Sequence, residues 1–225
     1  MSARWKGTVD TVLVLSALLA AVSLAYRTFA RPLVRRTATE RQEPARRLTP
    51  QARPFLLASR LGEVTAPDTL LIFSDYQCPA CKRFERLLSD YAQMSRSKLT
   101  IGYLHFPLPT HPQAVRAANL AECANILGRF SLAHHVLFEA QDTLSRINVA
   151  EIAKRMRPVD SVAFIDCAEQ SDTSAAVVES IELARRLSVR ATPTLIVNGW
   201  LTGVPSDARE LAEWIRRSRR GIAPY

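Results

Sequence analysis

The sequence predicts an α/β fold in which a block of helices interrupts a mixed sheet, and three observations lead to this prediction. A buried strand at 69–73 passes into a helix that carries Cys78 and Cys81. Successive helical patterns then fill residues 111–187. Strand patterns return at 194–202, followed by an amphipathic helix. The predicted order is therefore β-α-β, a helical block, and β-β-α.

The first βαβ unit is defined by its hydrophobic pattern. Leu70–Phe73 are four consecutive apolar residues, which favour a strand buried on both faces. Residues 74–77 form the turn that follows, and apolar residues then recur at helical spacing to about Ser95. A second strand is expected at 98–106 and ends before Pro107.

Turn residues divide the rest of the chain. Helices are expected at 112–127, 130–143, 148–156, 160–170 and 173–187. Asn198-Gly199 is a strong signal for a two-residue hairpin between strands at 194–197 and 200–202. The last helix is expected at 207–218, with Ser206 or Asp207 as its N-cap.

The N-terminal part of the chain is expected to attach the domain to a membrane. Residues 1–10 are short and basic, and residues 11–26 carry no charge over a length near the minimum that spans a bilayer. We favour a transmembrane signal anchor. A signal peptide cleaved near 23–25 is the alternative, and a soluble helix is disfavoured because the run has no polar face. Residues 27–54, rich in Arg and Pro, are expected to form a tether without its own core.

The charge distribution argues against nucleic-acid binding. The net charge is +9, but residues 1–47 hold nine basic against three acidic residues, whereas residues 48–225 hold 21 against 18. The folded part is thus close to neutral. Seven arginines follow the apolar run and favour a cytoplasmic flank, while four cysteines fit an oxidising compartment. We predict that the domain lies on the periplasmic or extracellular side.

Cys78 and Cys81 form a Cys-x-x-Cys pair at a junction between strand and helix. Backbone N–H groups and the helix dipole at this end stabilise a thiolate at Cys78, and the thiolate is the nucleophile in disulfide exchange. Pro79 fits the first helical turn because its missing N–H costs nothing there. A structural disulfide or half of a zinc site are the alternatives. A zinc site needs a second pair of ligands, but Cys123 and Cys167 stand far apart, so we favour a dithiol redox centre.

The histidines are not expected to take part in the chemistry. His134 and His135 are adjacent on a helix, so their rings cannot bind one metal ion together. His111 precedes Pro112 and is expected at the start of a helix, and no direct chemical role is expected for His105. Disulfide exchange by a cysteine pair requires neither a metal nor an organic cofactor, and we predict neither.

Two segments resemble landmarks of the DsbA-like family of thiol oxidoreductases. Residues 73–84, FSDYQCPACKRF, are similar to the active-site strand, loop and helix of membrane-tethered or secreted members. Residues 191–199, ATPTLIVNG, are similar to the loop and hairpin that hold a cis-proline in this family. The resemblance covers roughly residues 60–218. It implies a thioredoxin fold (βαβ…ββα) formed by residues 55–110 and 188–225, with a helical insertion at 111–187.

The resemblance also implies roles for residues outside the cysteine pair. The peptide bond between Thr192 and Pro193 is expected to be cis and to face the cysteines, with the Thr192 backbone pairing with a substrate peptide. An ordinary trans proline is the alternative. Many relatives carry a buried acid where this chain has Ile72, so Asp75 is the nearest candidate for proton transfer to Cys81. A solvated loop acid is the other possibility for Asp75.

Two further expectations come from the family. Cys123 and Cys167 resemble a pair that forms a second, structural disulfide in some relatives, with two free buried cysteines as the alternative. Strongly oxidising relatives have a histidine inside the Cys-x-x-Cys motif, where this chain has Pro79 and Ala80. The reduction potential is therefore expected to lie between those of DsbA and thioredoxin.

These features together predict an extracytoplasmic enzyme that exchanges disulfides with unfolded or partly folded proteins, acting as a dithiol oxidase. The family implies reoxidation by a quinone-linked membrane enzyme of the DsbB or vitamin K epoxide reductase type. A reductase or isomerase with the same site is the nearest alternative. A non-catalytic peptide-binding or assembly module is a further alternative from another class.

Overall fold

This computed structural model describes residues 20–21, 44–49, 58–61, 66–95, 98–146, 148–156, 160–170 and 172–225. The predicted basic segment 1–10 and most of the predicted anchor at 11–26 lie outside the described residues. Within the described ranges, no helix is long and apolar enough to cross a membrane. The residues from 44 onward form a unit of their own, which is described below.

The sheet has six strands in the described part of the chain. These are β1 (Arg46–Arg47), β2 (Ser59–Leu61), β3 (Asp68–Ser74), β4 (Leu99–His105), β5 (Thr194–Val197) and β6 (Trp200–Thr202). Their spatial order is β1-β6-β5-β3-β4-β2. Strands β3 and β4 are parallel, and every other neighbouring pair is antiparallel. The mixed sheet confirms the predicted fold class, with the predicted central strand in its middle.

In the part of the chain that the structure describes from residue 44 onward, seven α-helices follow the predicted patterns closely. They are α1 (Pro79–Met94), α2 (Ala114–Ile126), α3 (Phe130–Glu139), α4 (Val149–Arg155), α5 (Ser161–Ala168), α6 (Ala175–Arg186) and α7 (Ala208–Arg219). The helix predicted at 130–143 is shorter than expected, because α3 ends at Glu139 and a separate 3-10 turn covers Gln141–Thr143. The Asn198-Gly199 hairpin is present, and both residues have positive φ, as a two-residue turn of this kind requires.

Strand β1 lies inside the segment at 27–54 that the sequence predicts to be a tether without its own core. Arg46 and Arg47 pair with Leu201 and Trp200 of β6, and the Arg47 guanidinium lies 5.5 Å from the centre of the Trp200 ring. Within the predicted tether at 27–54, these two residues therefore pair with the sheet, a contact that the sequence analysis did not predict. A strand of two exposed arginines has no hydrophobic alternation, so its conformation depends on pairing with β6 and on the hydrogen bond from the Arg46 guanidinium to the Leu187 carbonyl.

Successive residues of β3 point to opposite sides of the sheet, and each side is covered by a hydrophobic core. Leu70 and Ile72 pack into the larger core, which includes residues of α1, α7 and the helical block. Leu71 and Phe73 pack into a second core with Leu183. Leu183 belongs to α6, so this helix lies against the sheet although sequence continuity had grouped it with the insertion at 111–187.

Candidate active site

Cys78 is the N-cap residue of α1, with an extended backbone (φ −76°, ψ 119°). Its N–H donates to the Asp75 carbonyl at 3.1 Å, and its carbonyl accepts from Lys82 N at 3.2 Å. Pro79 is the first residue of the helix, where it fits without loss of a backbone hydrogen bond. Cys78 is 6% exposed and Cys81 is 1% exposed, and both are free thiols. The two sulfurs therefore lie at a helix N-terminus, the inner one sealed from solvent.

The loop before β5 brings a second segment to the cysteine pair. The Thr192–Pro193 peptide bond is cis, and the Cys78 sulfur lies 3.4 Å from the Thr192 carbonyl oxygen, to which its protonated form donates. Strands β3 and β5 are antiparallel neighbours in which Phe73 pairs with Thr194. The end of β3 and the start of β5 consequently meet at one edge of the sheet, which joins residues 114 positions apart.

The environment separates the acidities of the two thiols. The pKa of Cys78 is lowered to about 5, chiefly by hydrogen bonding with Cys81. Burial opposes this shift, while the Thr192 side chain and the backbone at Cys81 and Ala80 reinforce it. The pKa of Cys81 is raised, first by burial and then by its hydrogen bond with Cys78. At neutral pH the outer sulfur is thus a thiolate and the inner sulfur a thiol.

Asp75 is buried in the loop, and its side chain is not solvated. Its carboxylate accepts hydrogen bonds from the backbone N–H of Gln77 at 2.7 Å and of Leu108 at 2.8 Å. His111 Nδ1 lies 2.7 Å from the same carboxylate, with the His111 side chain 20% exposed. Asp75 thereby ties the turn before Cys78 to the segment that leads from β4 into α2.

The sequence analysis did not identify a set of side chains that contact the loop before α1. Gln141 Nε2 donates to the carbonyl oxygens of Tyr76 at 2.8 Å and of Cys78 at 3.0 Å. His134 joins the Tyr76 hydroxyl, 3.1 Å from Nδ1, to Glu85, 3.2 Å from Nε2. These partners lie 49 to 65 residues apart in sequence, so no local motif could have indicated them.

Glu122 of α2 forms a buried polar cluster with side chains of β2 and β4, and the helical block also contains a disulfide. Glu122 is buried, with His105 Nε2 at 2.7 Å and the Ser59 hydroxyl donating at 2.5 Å. Burial opposes its ionisation, yet the hydrogen bond and charge of His105, together with Ser59 and Asn125, lower the pKa of Glu122. Cys123 and Cys167 form a disulfide that joins α2 to α5, with Cα atoms 5.8 Å apart.

The predicted site residues thus divide into two groups. Cys78, Cys81, Thr192, Pro193 and Asp75 converge at the N-terminus of α1, together with Pro79 and Ala80, while Cys123 and Cys167 lie in the helical block. Among the residues that the structure describes, no group of three or more His, Cys, Asp or Glu side chains could hold a metal ion. A buried dithiol with unequal acidities, beside a cis-proline loop, is suited to thiol–disulfide exchange.

Comparison with known proteins agrees with this description. A family model described as thioredoxin matches residues 58–217. The chain therefore belongs to the thioredoxin family, within which its fold and dithiol define a DsbA-like protein. The crystal structure of oxidised BdbD from Bacillus subtilis has a TM-score of 0.65 at 21% identity, covering 79% of this chain and 98% of that chain.

Two curated relatives differ in how much of their length is matched. Disulfide bond formation protein D of Bacillus subtilis is 25% identical over 177 residues, which cover 72% of this chain and 77% of that protein. Na(+)/H(+) antiporter NhaA 1 of Mycolicibacterium vanbaalenii is 31% identical over 166 residues, covering 71% of this chain but 26% of the antiporter. The chain spans only about a quarter of the antiporters that it matches.

Proposed function

We propose that this protein is an extracytoplasmic thiol:disulfide oxidoreductase that oxidises protein dithiols through Cys78 and Cys81. The observation that carries the proposal is the difference between the two thiols. The pKa of Cys78 is lowered to about 5, whereas burial raises the pKa of Cys81. Disulfide exchange requires one reactive thiolate, here Cys78, and a second thiol that is shielded from solvent, here Cys81.

The exchange proceeds in two steps from the oxidised enzyme. A substrate thiolate attacks Sγ of Cys78, forming a mixed disulfide as the Cys78–Cys81 bond breaks and Cys81 leaves as a thiolate. Cys81 then takes up a proton, in keeping with its raised pKa. A second substrate thiolate attacks the substrate sulfur of the mixed disulfide, and Cys78 leaves as a thiolate. The substrate loses two electrons, and the enzyme gains them.

The stabilised Cys78 thiolate favours the reduced enzyme and so makes its disulfide oxidising. Because Ala80 stands where strongly oxidising relatives have histidine, we expect a potential between about −270 mV, as in thioredoxin, and about −120 mV, as in DsbA. We further propose that the backbone of Thr192 pairs with the substrate peptide as an added strand. Its carbonyl beside the Cys78 sulfur supports this role.

The role of Asp75 is proposed to be mainly positional. Its carboxylate oxygens are held by the N–H groups of Gln77 and Leu108 and by His111. Proton transfer between Asp75 and Cys81 remains a proposal that an Asp75→Asn variant tests. If the step in which Cys81 leaves and takes up a proton no longer depends on pH in this variant, the result supports proton transfer. If the pH–rate profile of that step is unchanged and the variant is less stable, the result supports the positional role.

Turnover needs an oxidant, and we propose a quinone-linked membrane enzyme of the DsbB or vitamin K epoxide reductase type. The relative from Bacillus subtilis is named for disulfide bond formation, which supports an oxidising role. The predicted single-pass anchor at 11–26 would place the domain beside such a partner. The antiport activity in the name of the Mycolicibacterium vanbaalenii relative belongs to a protein of which this chain matches a quarter.

A direct experiment measures oxidation of a reduced, unfolded protein by stoichiometric oxidised enzyme. The Cys78→Ser variant should abolish thiol loss from the substrate, because the attacked sulfur is absent. The matched control is Cys123→Ala/Cys167→Ala, which removes the other cysteine pair and should retain activity. Activity in the Cys78→Ser variant would refute the proposal.

A second measurement decides the direction of electron flow. Trapping of free thiols in intact cells should find Cys78 and Cys81 mostly as a disulfide if the protein is an oxidase, and mostly as a dithiol if it is a reductase or isomerase. A non-catalytic peptide-binding module would require no activated thiol, so the lowered pKa of Cys78 favours an enzyme over that alternative.

A further inference from the structure

Gln141 lies in the 3-10 turn of the helical block and is 8% exposed. Its Nε2 atom donates to the carbonyl oxygens of Tyr76 and Cys78, at 2.8 and 3.0 Å. We propose that Gln141 is a positioning residue for the exchange reaction: its amide fixes the backbone at Cys78 and thereby the geometry of the N–H groups around the sulfur. This inference rests on the proposed function and names a new participant in it.

The chemistry of the amide suits this task. A glutamine NH₂ has two N–H donors, so a single side chain can serve two carbonyls that lie two residues apart. The Cys78 carbonyl also accepts the first helical bond, from Lys82 N at 3.2 Å. Gln141 therefore acts at the point where the loop becomes a helix, on the peptide group of the nucleophile itself.

The other side of the loop is already fixed. Cys78 N donates to the Asp75 carbonyl at 3.1 Å, and the Asp75 carboxylate is held by Gln77 N at 2.7 Å. Those bonds lie within the loop, whereas Gln141 comes from 63 residues further along the chain. The helical block thus supplies a contact that the loop cannot make for itself.

The consequence for the sulfur follows from geometry. Backbone hydrogen bonds at Ala80 and Cys81 help to stabilise the Cys78 thiolate. Without Gln141 the loop backbone gains freedom, and these donors are less well aligned with the sulfur. We expect the midpoint of thiolate formation to rise by about half to one pH unit, comparable with the loss of one buried hydrogen bond.

The test compares variants of the full chain in the reduced state. Gln141→Met keeps an unbranched side chain of similar length but has no donor. Thiolate absorbance against pH gives the midpoint for Cys78, and equilibration with a glutathione buffer gives the position of the dithiol–disulfide equilibrium. In Gln141→Met the midpoint should rise, and the equilibrium should shift toward the disulfide form.

Thr143→Val is the matched control. It changes the same 3-10 turn and removes a hydrogen bond to the Ala140 carbonyl, at 3.0 Å, instead of one to the active-site loop. Its midpoint and equilibrium should equal those of the unsubstituted protein. If Gln141→Met lowers the melting temperature but leaves both quantities unchanged, the role of Gln141 is merely structural and the inference is overturned.

A measurement on the unsubstituted protein covers the case in which Gln141→Met does not fold. The chemical shifts of the Gln141 side-chain amide should change with pH around the midpoint of thiolate formation at Cys78. If these chemical shifts do not change there, the inference is refuted. An ordinary Cys78 midpoint in the unsubstituted protein would instead refute the proposed function, and the inference with it.

Discussion

The Cys78 sulfur lies 3.4 Å from the carbonyl oxygen of Thr192, a residue 114 positions further along the chain. The antiparallel pairing of β3 with β5 creates this contact, since the end of one strand lies beside the start of the other. The sheet therefore brings a cysteine at a helix N-terminus next to the cis-proline loop. The reactivity of Cys78 depends on both segments.

Alkylation of the reduced protein should follow the titration of Cys78. Because its pKa is lowered to about 5, the rate with iodoacetamide should be nearly constant from about pH 6.5 to 8 and should fall about tenfold per pH unit at acidic pH. Mass spectrometry should find the label on Cys78 and not on the buried Cys81. A rate that keeps rising between about pH 6 and 8 would mean that Cys78 is an ordinary thiol.

The dithiol form should gain stability relative to the disulfide form as the pH rises. The folded pKa of Cys78, about 5, lies below its usual value of 9.0. Between these values the unfolded chain binds a proton that the folded chain lacks, so the free energy of unfolding increases with pH. This contribution is complete above pH 9.0 and is lost as the pH falls through about 5. Above pH 9.0 the buried Cys81, whose pKa is raised, acts in the opposite direction.

Urea denaturation of both redox forms at several pH values checks this linkage. The disulfide form serves as the internal control, because its other groups titrate in the same surroundings while the two thiols are absent. The difference between the forms should change from about pH 5 to 9 in favour of the dithiol. A difference that does not depend on pH in this range would contradict the lowered pKa of Cys78.

Removing the Cys123–Cys167 disulfide should lower stability without changing the exchange chemistry. The bridge closes a loop of sequence separation 44 between α2 and α5. On the chain-entropy account, Cys123→Ala/Cys167→Ala should cost up to about 4 kcal/mol of unfolding free energy. The reduction potential of the Cys78–Cys81 pair should stay as it is. A large change in that potential would show that the second disulfide is coupled to the first.

Local patterns were sufficient to predict the helices and the four longer or hairpin-linked strands. The apolar run of Leu70–Phe73 and the Asn198-Gly199 turn each contain a signal within a few residues. Strands β1 and β2 contain only two and three residues, and Arg46 and Arg47 have no apolar face. Edge strands of this length exist because a neighbouring strand offers hydrogen bonds, which a local pattern does not reveal.

The active site was predictable only as far as its motifs reached. The resemblance indicated that Pro193 should face Cys78, because both belong to recurring segments. Gln141 and His134 contact the loop from the helical block, and no local sequence pattern indicates contacts between residues so far apart in the chain. The burial of Asp75 was also beyond sequence reasoning, because a loop carboxylate is usually solvated unless partners such as His111 surround it.

Gly102 should be required in β4 for steric reasons. Its strand lies between β2 and β3, where Gly102 pairs with Arg60 and with Leu71. Pairing on both edges prevents the backbone at Gly102 from shifting. An added Cβ would lie 2.8 Å from both Ala58 Cβ and Leu71 Cδ2. Gly102→Ala should therefore lower the free energy of unfolding by about 1–3 kcal/mol, as overpacking of a core does.

A double-mutant cycle separates this clash from a general effect of the substitution. Ala58→Gly removes one of the two obstructing atoms, so Ala58→Gly/Gly102→Ala should be less destabilised than the sum of the single variants. The Cys78 midpoint should be the same in all four proteins, because Gly102 shares the face of Leu71, away from the core that contains the cysteines. Additive effects in the cycle would show that the packing against Ala58 is not the cause.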